Sequence, residues 1–291
     1  MASKPKTTFS LPVNPKVIGL FPLSIRSGYH MSPTSWFFLL QHVTIGVFSL
    51  TSLAYLAVLV AGDFFGFTKM LNVSGMAVLK CTPIWILMFF SWQSSSSLAG
   101  SSGSRYTLLV ILGLALSSMG DFALAMEGNG FTADLEFLLG LVFFLTAHVF
   151  YVFAFGFSRR GLHLERLIPF ALFGAGIYYF SFLPVLRSKG LAVPVAVYIT
   201  VIVTMVWRAA ARLVYSQSSK PSDLDRIPLH CWLAFVGAMC FFLSDLLLAV
   251  NKFIVPFRAA RFLIMVLYYG AQFGIAASVN QDEKKLNRKS Q

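Results

Sequence analysis

The sequence predicts an all-α, polytopic membrane protein with eight transmembrane helices. The chain of 291 residues is 57% hydrophobic and only 12% charged, with a mean hydropathy of +0.74. Soluble domains are about 25% charged, so this composition is typical of a protein that crosses a membrane several times. Apolar runs of about 20 residues, long enough to cross the hydrocarbon core of a bilayer, recur along the chain and predict the individual spans.

Polar or glycine-rich segments separate the apolar runs. Serines at 94–97, followed by glycines at 100 and 103, end the second run, and residues 216–228 form the longest polar connection. The shortest separation lies between the fifth and sixth runs and depends on the residues at 187–190. The eight predicted spans lie near residues 36–61, 73–92, 106–126, 137–157, 167–185, 190–207, 231–250 and 262–279.

These runs predict one membrane domain, residues 36–279, with a short polar segment at each end. The cytoplasmic arm predicted at 1–35 contains five prolines and no apolar segment, so no cleaved signal peptide is expected. Residues 280–291 form a basic cytoplasmic tail. No polar stretch is long enough for a separate soluble domain, so any functional site is expected within the membrane domain.

Basic residues concentrate on one side of the predicted membrane. Eight spans place both termini on the same side, and 16 of the 23 Lys and Arg fall there, against six on the other side and Lys80 within a span. An excess of Lys and Arg marks cytoplasmic loops, so both termini are expected to be cytoplasmic. This distribution also explains the net charge of +12 without a nucleic-acid partner.

Two aspartates in matching positions within apolar spans are the most informative feature for function. Asp121 follows Gly120 in the third span, and Asp245 follows Ser244 in the seventh. A carboxylate at the centre of a bilayer span costs about 2.5 kcal/mol or more, so such residues usually face a polar cavity and carry function. We therefore expect this pair to form a functional site.

The match continues beyond the aspartates. His148 follows Asp121 by 27 residues and Gln272 follows Asp245 by 27 residues, each after an alanine in an apolar run. The pattern indicates a possible parallel internal repeat, in which the third and fourth helices correspond to the seventh and eighth.

Further polar side chains fall at the depth of the two aspartates. At a rise of about 1.5 Å per residue, Asp121, Asp245 and Lys80 each lie within about 10 Å of the membrane edge opposite the termini. Several spans contribute to this layer, which indicates a shared site. The predicted substrate-binding or supporting residues are Lys80, His148, Tyr151, Tyr198, Asn251, Tyr268, Tyr269 and Gln272.

Structural roles are the alternative for several of these residues. Lys80 could extend its amine to the membrane surface, and Asn251 could be interfacial. Only one of the neighbours Tyr268 and Tyr269 is expected to face inward, and His148 is expected to support the carboxyls. The aspartates themselves could be neutral, hydrogen-bonded acids or could pair with Lys80. Because burial of a carboxyl is costly, function is favoured.

Two carboxyls in one low-dielectric site do not both ionise readily, so one keeps its proton and the pair offers an acid and a base. Hydrolysis, proton-coupled transport and lipid binding could each use such a site. The sequence contains no G-x-S-x-G or H-E-x-x-H motif and no Cys/His ligand spacing. A serine esterase or a zinc enzyme is therefore not indicated.

Short motifs along most of the chain resemble those of one known family. They are Lys80-Cys81-Thr82-Pro83, Gly120-Asp121, Ala147-His148-Val149-Phe150-Tyr151, Ser244-Asp245-Leu246, Ala249-Val250-Asn251-Lys252-Phe253, and residues 261–265 followed by Tyr268-Tyr269 and Gln272. In this order they resemble the lysoplasmalogenase (YhhN-like) family of multispanning membrane hydrolases. The resemblance covers about residues 75–279.

The resemblance implies hydrolysis of the vinyl ether bond of a lysoplasmalogen to a fatty aldehyde and glycerophosphoethanolamine or glycerophosphocholine. It implies Asp121 and Asp245 as the catalytic residues and lysoplasmenylethanolamine or lysoplasmenylcholine as the substrate. It also implies an endoplasmic-reticulum membrane and no metal or other cofactor.

Acid-base chemistry by two aspartates suits this activity. One carboxylic acid is expected to protonate the outer alkene carbon, while the other, ionised, stabilises the resulting cation and orients water. Gly120 is expected to let substrate approach Asp121, which favours Asp121 as the acid. Lys80 or a nearby arginine is expected to hold the phosphate. The alkenyl chain is expected along Phe143, Phe144 and Phe150.

Other functions also use aspartates within membrane spans. An intramembrane aspartyl protease has a Gly-x-Gly-Asp motif, but Ser118 stands in place of the first glycine and no Pro-Ala-Leu motif occurs. A proton-coupled transporter is the stronger alternative, because transporters use repeated helix pairs around a polar site. A non-enzymatic lipid-binding membrane protein is the third possibility.

Overall fold

The computed structural model describes residues 33–65, 72–96, 101–126, 133–157, 164–188, 190–217 and 227–287. Throughout these ranges every regular element is helical, with no strand. Eight helical segments are long and apolar enough to cross a membrane, which confirms the predicted all-α, eight-span fold. The predicted N-terminal arm lies almost entirely outside the described residues.

Within these described ranges, nine α-helices form the eight spans. Helices α5 and α6 together make the fifth span, and each of the others makes one span. The helices are α1 (Pro33–Phe65), α2 (Val73–Ser96), α3 (Ser101–Ala125), α4 (Ala133–Phe155), α5 (Leu167–Ile177), α6 (Leu183–Ser188), α7 (Ala192–Gln217), α8 (Leu229–Phe253) and α9 (Ala260–Asn287).

A π-helical turn, Tyr178–Phe182, interrupts the fifth span between α5 and α6. Pro184 follows it and has no N–H with which to bond the carbonyl of Phe180. The N–H of Leu183 instead donates to the carbonyl of Tyr178, the wider spacing that defines a π turn. The proline therefore explains why this span is not one continuous α-helix.

The fifth and sixth spans are separated by a tight turn. Gly190 adopts a φ of +68°, a conformation that glycine reaches without strain. The N–H of Leu191 donates to the carbonyl of Leu186 at 3.1 Å, and α7 then begins at Ala192. This confirms the break predicted at 187–190.

Glycines bring α8 and α9 into close contact. A Cβ atom on Gly237 would lie 2.9 Å from the carbonyl oxygen of Ala271, and one on Gly274 would lie 2.9 Å from that of Leu233. Small residues permit this approach between membrane helices. Helix α9 also contacts α1, α2 and α3, and it is the most buried of the eight spans. It therefore holds its polar side chains in the centre of the bundle.

Two helices extend beyond the predicted boundaries. The sixth span was predicted to end near residue 207, and here it continues to Leu213 within α7, which ends at Gln217. Arg208 Nε donates to the carbonyl of Gly156 at 2.7 Å, and Arg212 stacks over an aromatic ring of α3. These arginines pack against neighbouring helices and so do not end the helix. Helix α9 likewise continues to Asn287, so part of the predicted tail is helical.

Candidate functional site

Asp121 lies in a buried polar cluster with Lys80 and Tyr268, here called the Asp121 cluster. Its side chain is only 3% exposed. The Lys80 amine lies 3.0 Å from Oδ1, and the Tyr268 hydroxyl donates to Oδ2 at 2.5 Å. Both carboxylate oxygens thus have a partner, one of them charged, and this is a strong form of hydrogen bonding.

Lys80 points into the helix bundle, so the surface-directed alternative for this residue is wrong. Its side chain is 12% exposed and is directed at the carboxylate. Pro83 lies one turn further along α2 and removes a backbone donor there. The hydroxyl of Tyr269 donates to the Lys80 carbonyl oxygen at 2.9 Å, and the ring of Tyr55 packs edge-on against Tyr269.

Tyr268 and Tyr269 both face the protein interior, which corrects the expectation that only one of them would. Each is 3% exposed. Because α9 is surrounded by α1, α2, α3 and α8, neighbouring residues on it meet protein in different directions. Tyr268 reaches Asp121, while Tyr269 reaches the backbone of α2.

Two further predicted residues form a hydrogen bond one turn along α9 from Tyr268. Gln272 accepts a hydrogen bond at Oε1 from the Tyr151 hydroxyl at 2.8 Å. Both side chains are fully buried. In the described part of the chain, the Gln272 amide nitrogen has no hydrogen-bond partner. This pair links α4 to α9 beside the Asp121 cluster.

Asp245 lies in a second cluster, with Tyr198 and His148. The Tyr198 hydroxyl donates to Oδ2 at 2.5 Å. His148 Nδ1 donates to the carbonyl of Phe144 at 2.5 Å, which leaves Nε2 on the side of the ring that faces Asp245, 3.7 Å from Oδ2. That separation is too long for a hydrogen bond, and Nε2 has no other partner among the described residues.

Aromatic rings separate the two clusters. Phe241, fully buried one turn before Asp245, contacts the rings of His148 at 4.5 Å and Tyr268 at 5.5 Å between centroids. The two carboxyls have different hydrogen-bond partners and do not share a hydrogen bond.

Each aspartate takes a partner from the other helix pair. Asp121 on α3 is bonded by Tyr268 on α9, whereas Asp245 on α8 faces His148 on α4. The partners of the two aspartates are not at matching positions of the predicted repeat, because Tyr268 corresponds to Phe144 and His148 corresponds to Gln272. The internal repeat itself stays a prediction.

A largely apolar cavity lies beside Asp245, between α4, α5, α7 and α8. It contains about 770 Å³ of space that no protein atom occupies, part of it open to the surroundings. The side chains of Asp245 and Tyr198 supply its polar wall. Much of its apolar wall consists of Phe137, Phe144, Phe182, Phe242 and Phe253.

The two carboxyls differ in their access to this cavity. The Asp245 side chain is 16% exposed and lines the cavity, whereas that of Asp121 is 3% exposed and does not. A molecule in the cavity can therefore exchange a proton with Asp245. Asp121 can act on such a molecule through its charge or through the residues that it holds in place.

Two sequence-based expectations are wrong, and a third stays a prediction. The space beside Gly120 is filled by Phe144, whose ring lies 2.7 Å from a Cβ placed there, so substrate does not approach Asp121 by that route. Of the three phenylalanines expected along the alkenyl chain, Phe144 lines the cavity but Phe143 and Phe150 do not. Asn251 accepts a hydrogen bond from the N–H of Phe257 at 3.2 Å, and its role toward the substrate stays a prediction.

Other residues of the site were not identified from the sequence. Tyr55 was missed because it is a single tyrosine in an otherwise apolar first span. Phe241 could have been found, since it lies four residues before Asp245 on the same helical face. Phe137, Phe182 and Phe253 come from three separate helices, and no sequence pattern unites them.

Comparison with known proteins identifies a family that matches most of the chain. A family model described as the YhhN family matches residues 75–279. Lysoplasmalogenase TMEM86A of Homo sapiens is 34% identical over 204 residues, which cover 69% of this chain and 76% of that protein. Lysoplasmalogenase TMEM86B of Homo sapiens is 33% identical over 202 residues, covering 69% and 74%.

A more distant relative extends the match. The lysoplasmalogenase homolog of Dictyostelium discoideum is 24% identical over 266 residues, covering 79% of this chain and 86% of that protein. No solved structure gives a significant match. Because the family model spans more than half of the chain, including both aspartates, the chain belongs to the YhhN family.

Proposed function

We propose that this protein is an enzyme that hydrolyses the vinyl ether bond of lysoplasmalogens, releasing a fatty aldehyde and glycerophosphoethanolamine or glycerophosphocholine. The position of the Asp245 carboxyl, in the wall of an apolar cavity within the membrane domain, carries this proposal. The names of the relatives support the substrate class. A single-chain lipid with an acid-labile bond suits a cavity that is apolar apart from one acid and one phenol.

Asp245 is assigned as the acid. In the first step its carboxyl proton is transferred to the outer carbon of the alkene, and the electron pair of the double bond forms the new C–H bond. The carbon attached to the ether oxygen becomes an oxocarbenium ion, and Asp245 becomes a carboxylate beside it. The negative charge that remains stabilises the cation in a site of low dielectric.

Water then completes the reaction. It adds to the oxocarbenium carbon and gives a proton to the Asp245 carboxylate, which forms a hemiacetal and restores the acid. The hemiacetal collapses when the C–O bond to glycerol breaks. The glycerol oxygen gains one proton and the hemiacetal hydroxyl loses one, so the products are the aldehyde and the glycerophospho head group.

Tyr198 and His148 are assigned to support of Asp245. The Tyr198 hydroxyl bonds Oδ2, which leaves Oδ1 as the oxygen available to the cavity. His148 is held by the carbonyl of Phe144 and presents the acceptor nitrogen Nε2 toward the carboxyl. It can receive a proton from Asp245 without contacting the substrate.

Asp121 is assigned as a positioning residue. Its ion pair with Lys80 and its bond from Tyr268 join α2, α3 and α9 close to the acid. Loss of its charge would leave the ammonium of Lys80 without its carboxylate in a buried site, at a cost of about 3–5 kcal/mol for a buried pair. Activity is therefore expected to depend on Asp121 through the structure that it holds.

The proposed location is an endoplasmic-reticulum membrane with both termini in the cytoplasm. The orientation is supported by the distribution of positive charge, with 16 of the 23 Lys and Arg on the side of the termini, and the endoplasmic-reticulum membrane is what the family resemblance implies. Protease access to tags at the two termini in sealed microsomes is the test. Protection of either tag would contradict this orientation.

Aldehyde release by detergent-purified protein tests the proposed reaction. The wild-type protein is expected to release aldehyde from lysoplasmenylethanolamine but none from the saturated ether lysolipid, which has no alkene to protonate. Asp245→Asn is expected to abolish release with thermal unfolding unchanged. Asp121→Asn is expected to lower both activity and thermal stability.

The two variants serve as controls for each other, since each is the same Asp→Asn substitution and each lies within a membrane span. Normal turnover by Asp245→Asn would disprove the assignment of the acid. Absence of aldehyde from a folded wild-type sample would instead favour a transporter or a lipid-binding protein.

A further inference from the structure

We infer that the substrate head group lies at the end of the cavity formed by the C-terminal end of α8, on the membrane face opposite both termini, where Lys252 contacts its phosphate. This inference rests on the proposed function and extends it. It names a residue that contacts the head group, and it names the membrane face at which the polar product is released.

The depth of the acid decides which face the head group occupies. Asp245 lies eight residues from Phe253, at one end of α8, and 16 residues from Leu229, at the other, which correspond to about 12 Å and about 24 Å along the helix. In a lysoplasmalogen only the three carbons of glycerol separate the ether oxygen from the phosphate oxygen. The phosphate must therefore lie toward the nearer face, because burying it in hydrocarbon is costly.

The order of the spans identifies that face. Helix α8 is the seventh of the eight spans, so it begins on the side of the termini and ends at Phe253 on the opposite side. The nearer face is consequently the one that holds neither terminus. Glycerophosphoethanolamine formed at Asp245 is released there, because it cannot cross the bilayer.

Lys252 is placed to contact the phosphate. Phe137 and Phe253 line the cavity at this end and meet edge to face, with centroids 5.6 Å apart. The Lys252 amine lies 4.4 Å from the centre of the Phe137 ring. A lysine ammonium on its flexible stem is a suitable point charge for phosphate. Lys80, one of the residues expected in this role, lies instead in the buried Asp121 cluster, with its amine 3.0 Å from Asp121.

The remaining part of the cavity suits the alkenyl chain. Beyond Asp245, toward the middle of the membrane, its wall is formed by Phe144, Ile202 and Phe242. These side chains offer no polar group to a ligand. A substrate with its phosphate at Lys252 thus places the vinyl ether beside Asp245 and its chain in the apolar interior of the bilayer.

Binding of a saturated ether lysophosphatidylethanolamine tests the phosphate contact without requiring turnover. Lys252→Gln is expected to raise the dissociation constant by roughly tenfold, the effect of losing one charge-assisted contact, and Lys252→Arg is expected to restore most of the affinity. Arg187→Gln removes an exposed charge on the same face and is the matched control, with unchanged binding expected. Equal affinities for wild type and Lys252→Gln would overturn the assignment.

The side of product release tests the membrane face. Proteoliposomes containing lysoplasmenylethanolamine in both leaflets are captured by an affinity tag at the C terminus, which selects vesicles with the termini outside. Glycerophosphoethanolamine is expected inside these vesicles and in the medium only after detergent is added. Its appearance in the medium without detergent would overturn the inference and leave the hydrolase proposal intact, whereas absence of aldehyde in detergent would contradict the hydrolase proposal.

Discussion

At the scale of single residues, two aspartates with matching sequence positions occupy different environments. Both oxygens of Asp121 are partnered, one by an ammonium and one by a phenol. Asp245 has a phenol on one oxygen and faces a cavity. The first environment is typical of a structural ion pair, and the second of a group that meets a ligand. The pairing of the two residues in the sequence therefore does not mean that they share one role.

The bond from Tyr198 to the proposed acid gives a prediction for catalysis. Tyr198→Phe removes the hydroxyl and keeps the ring in the cavity wall. A hydrogen bond to a charged group contributes about 1.5–3 kcal/mol, so kcat for aldehyde release is expected to fall by roughly 10- to 100-fold. Tyr178→Phe removes a hydroxyl that bonds the carbonyl of Ala192 and is expected to leave kcat unchanged. Equal rates for both variants would contradict the role of Tyr198.

The ion pair of Asp121 gives a prediction for stability. Lys80→Met leaves a buried carboxylate without its cation and is expected to lower the free energy of unfolding in detergent by about 3–5 kcal/mol. Adding Asp121→Asn to Lys80→Met removes the stranded charge and is expected to recover part of that loss. Identical stabilities for the single and double variants would mean that the two side chains are not coupled.

At the scale of helices, close contact between α8 and α9 positions both clusters. Asp245 is on α8, Tyr268 and Gln272 are on α9, and the contact depends on Gly237 and Gly274. Because the backbones meet at these glycines, side chains one or two turns away are held at fixed distances from α3 and α4. A change at this interface is expected to disturb both clusters together.

Two glycines on this helix pair give a matched prediction. Gly237→Ala places a Cβ 2.9 Å from a backbone oxygen, so the helices must separate and stability is expected to fall by about 1–3 kcal/mol. Gly270→Ala meets no atom within 4 Å and is expected to be neutral or to stabilise α9 by up to about 1 kcal/mol. Thermal unfolding in detergent measures both. A larger loss for Gly270→Ala would contradict the described packing.

The helices were largely predictable from the sequence, and their exceptions have physical reasons. Apolar length predicts all eight spans, and the turn at Gly190 agrees with the predicted break. The end of α7 was placed too early because Arg208 and Arg212 look like interfacial charges in the sequence. Their guanidinium groups pack on aromatic rings instead, and this depends on neighbouring helices.

At the scale of the whole molecule, the depth of each polar side chain in the membrane was predictable from the sequence. The side of its helix on which it meets a neighbouring helix or a cavity was not. The rise per residue placed Lys80 and Tyr268 at the level of Asp121, and the structure brings these side chains together. Which aspartate would face a cavity depends on the arrangement of α4, α5, α7 and α8. No single span contains that information, and the expectation that Gly120 favours Asp121 as the acid depended on a space that the Phe144 ring fills.

Hydrolysis in deuterated water tests the central claim most directly. Protonation of the outer alkene carbon by Asp245 predicts one deuterium at carbon 2 of the aldehyde released from lysoplasmenylethanolamine, determined by mass spectrometry immediately after release. The Asp245→Asn protein is expected to give no aldehyde above the rate without protein. Aldehyde without deuterium at that carbon, or the same labelled aldehyde from Asp245→Asn, would contradict acid catalysis by this residue.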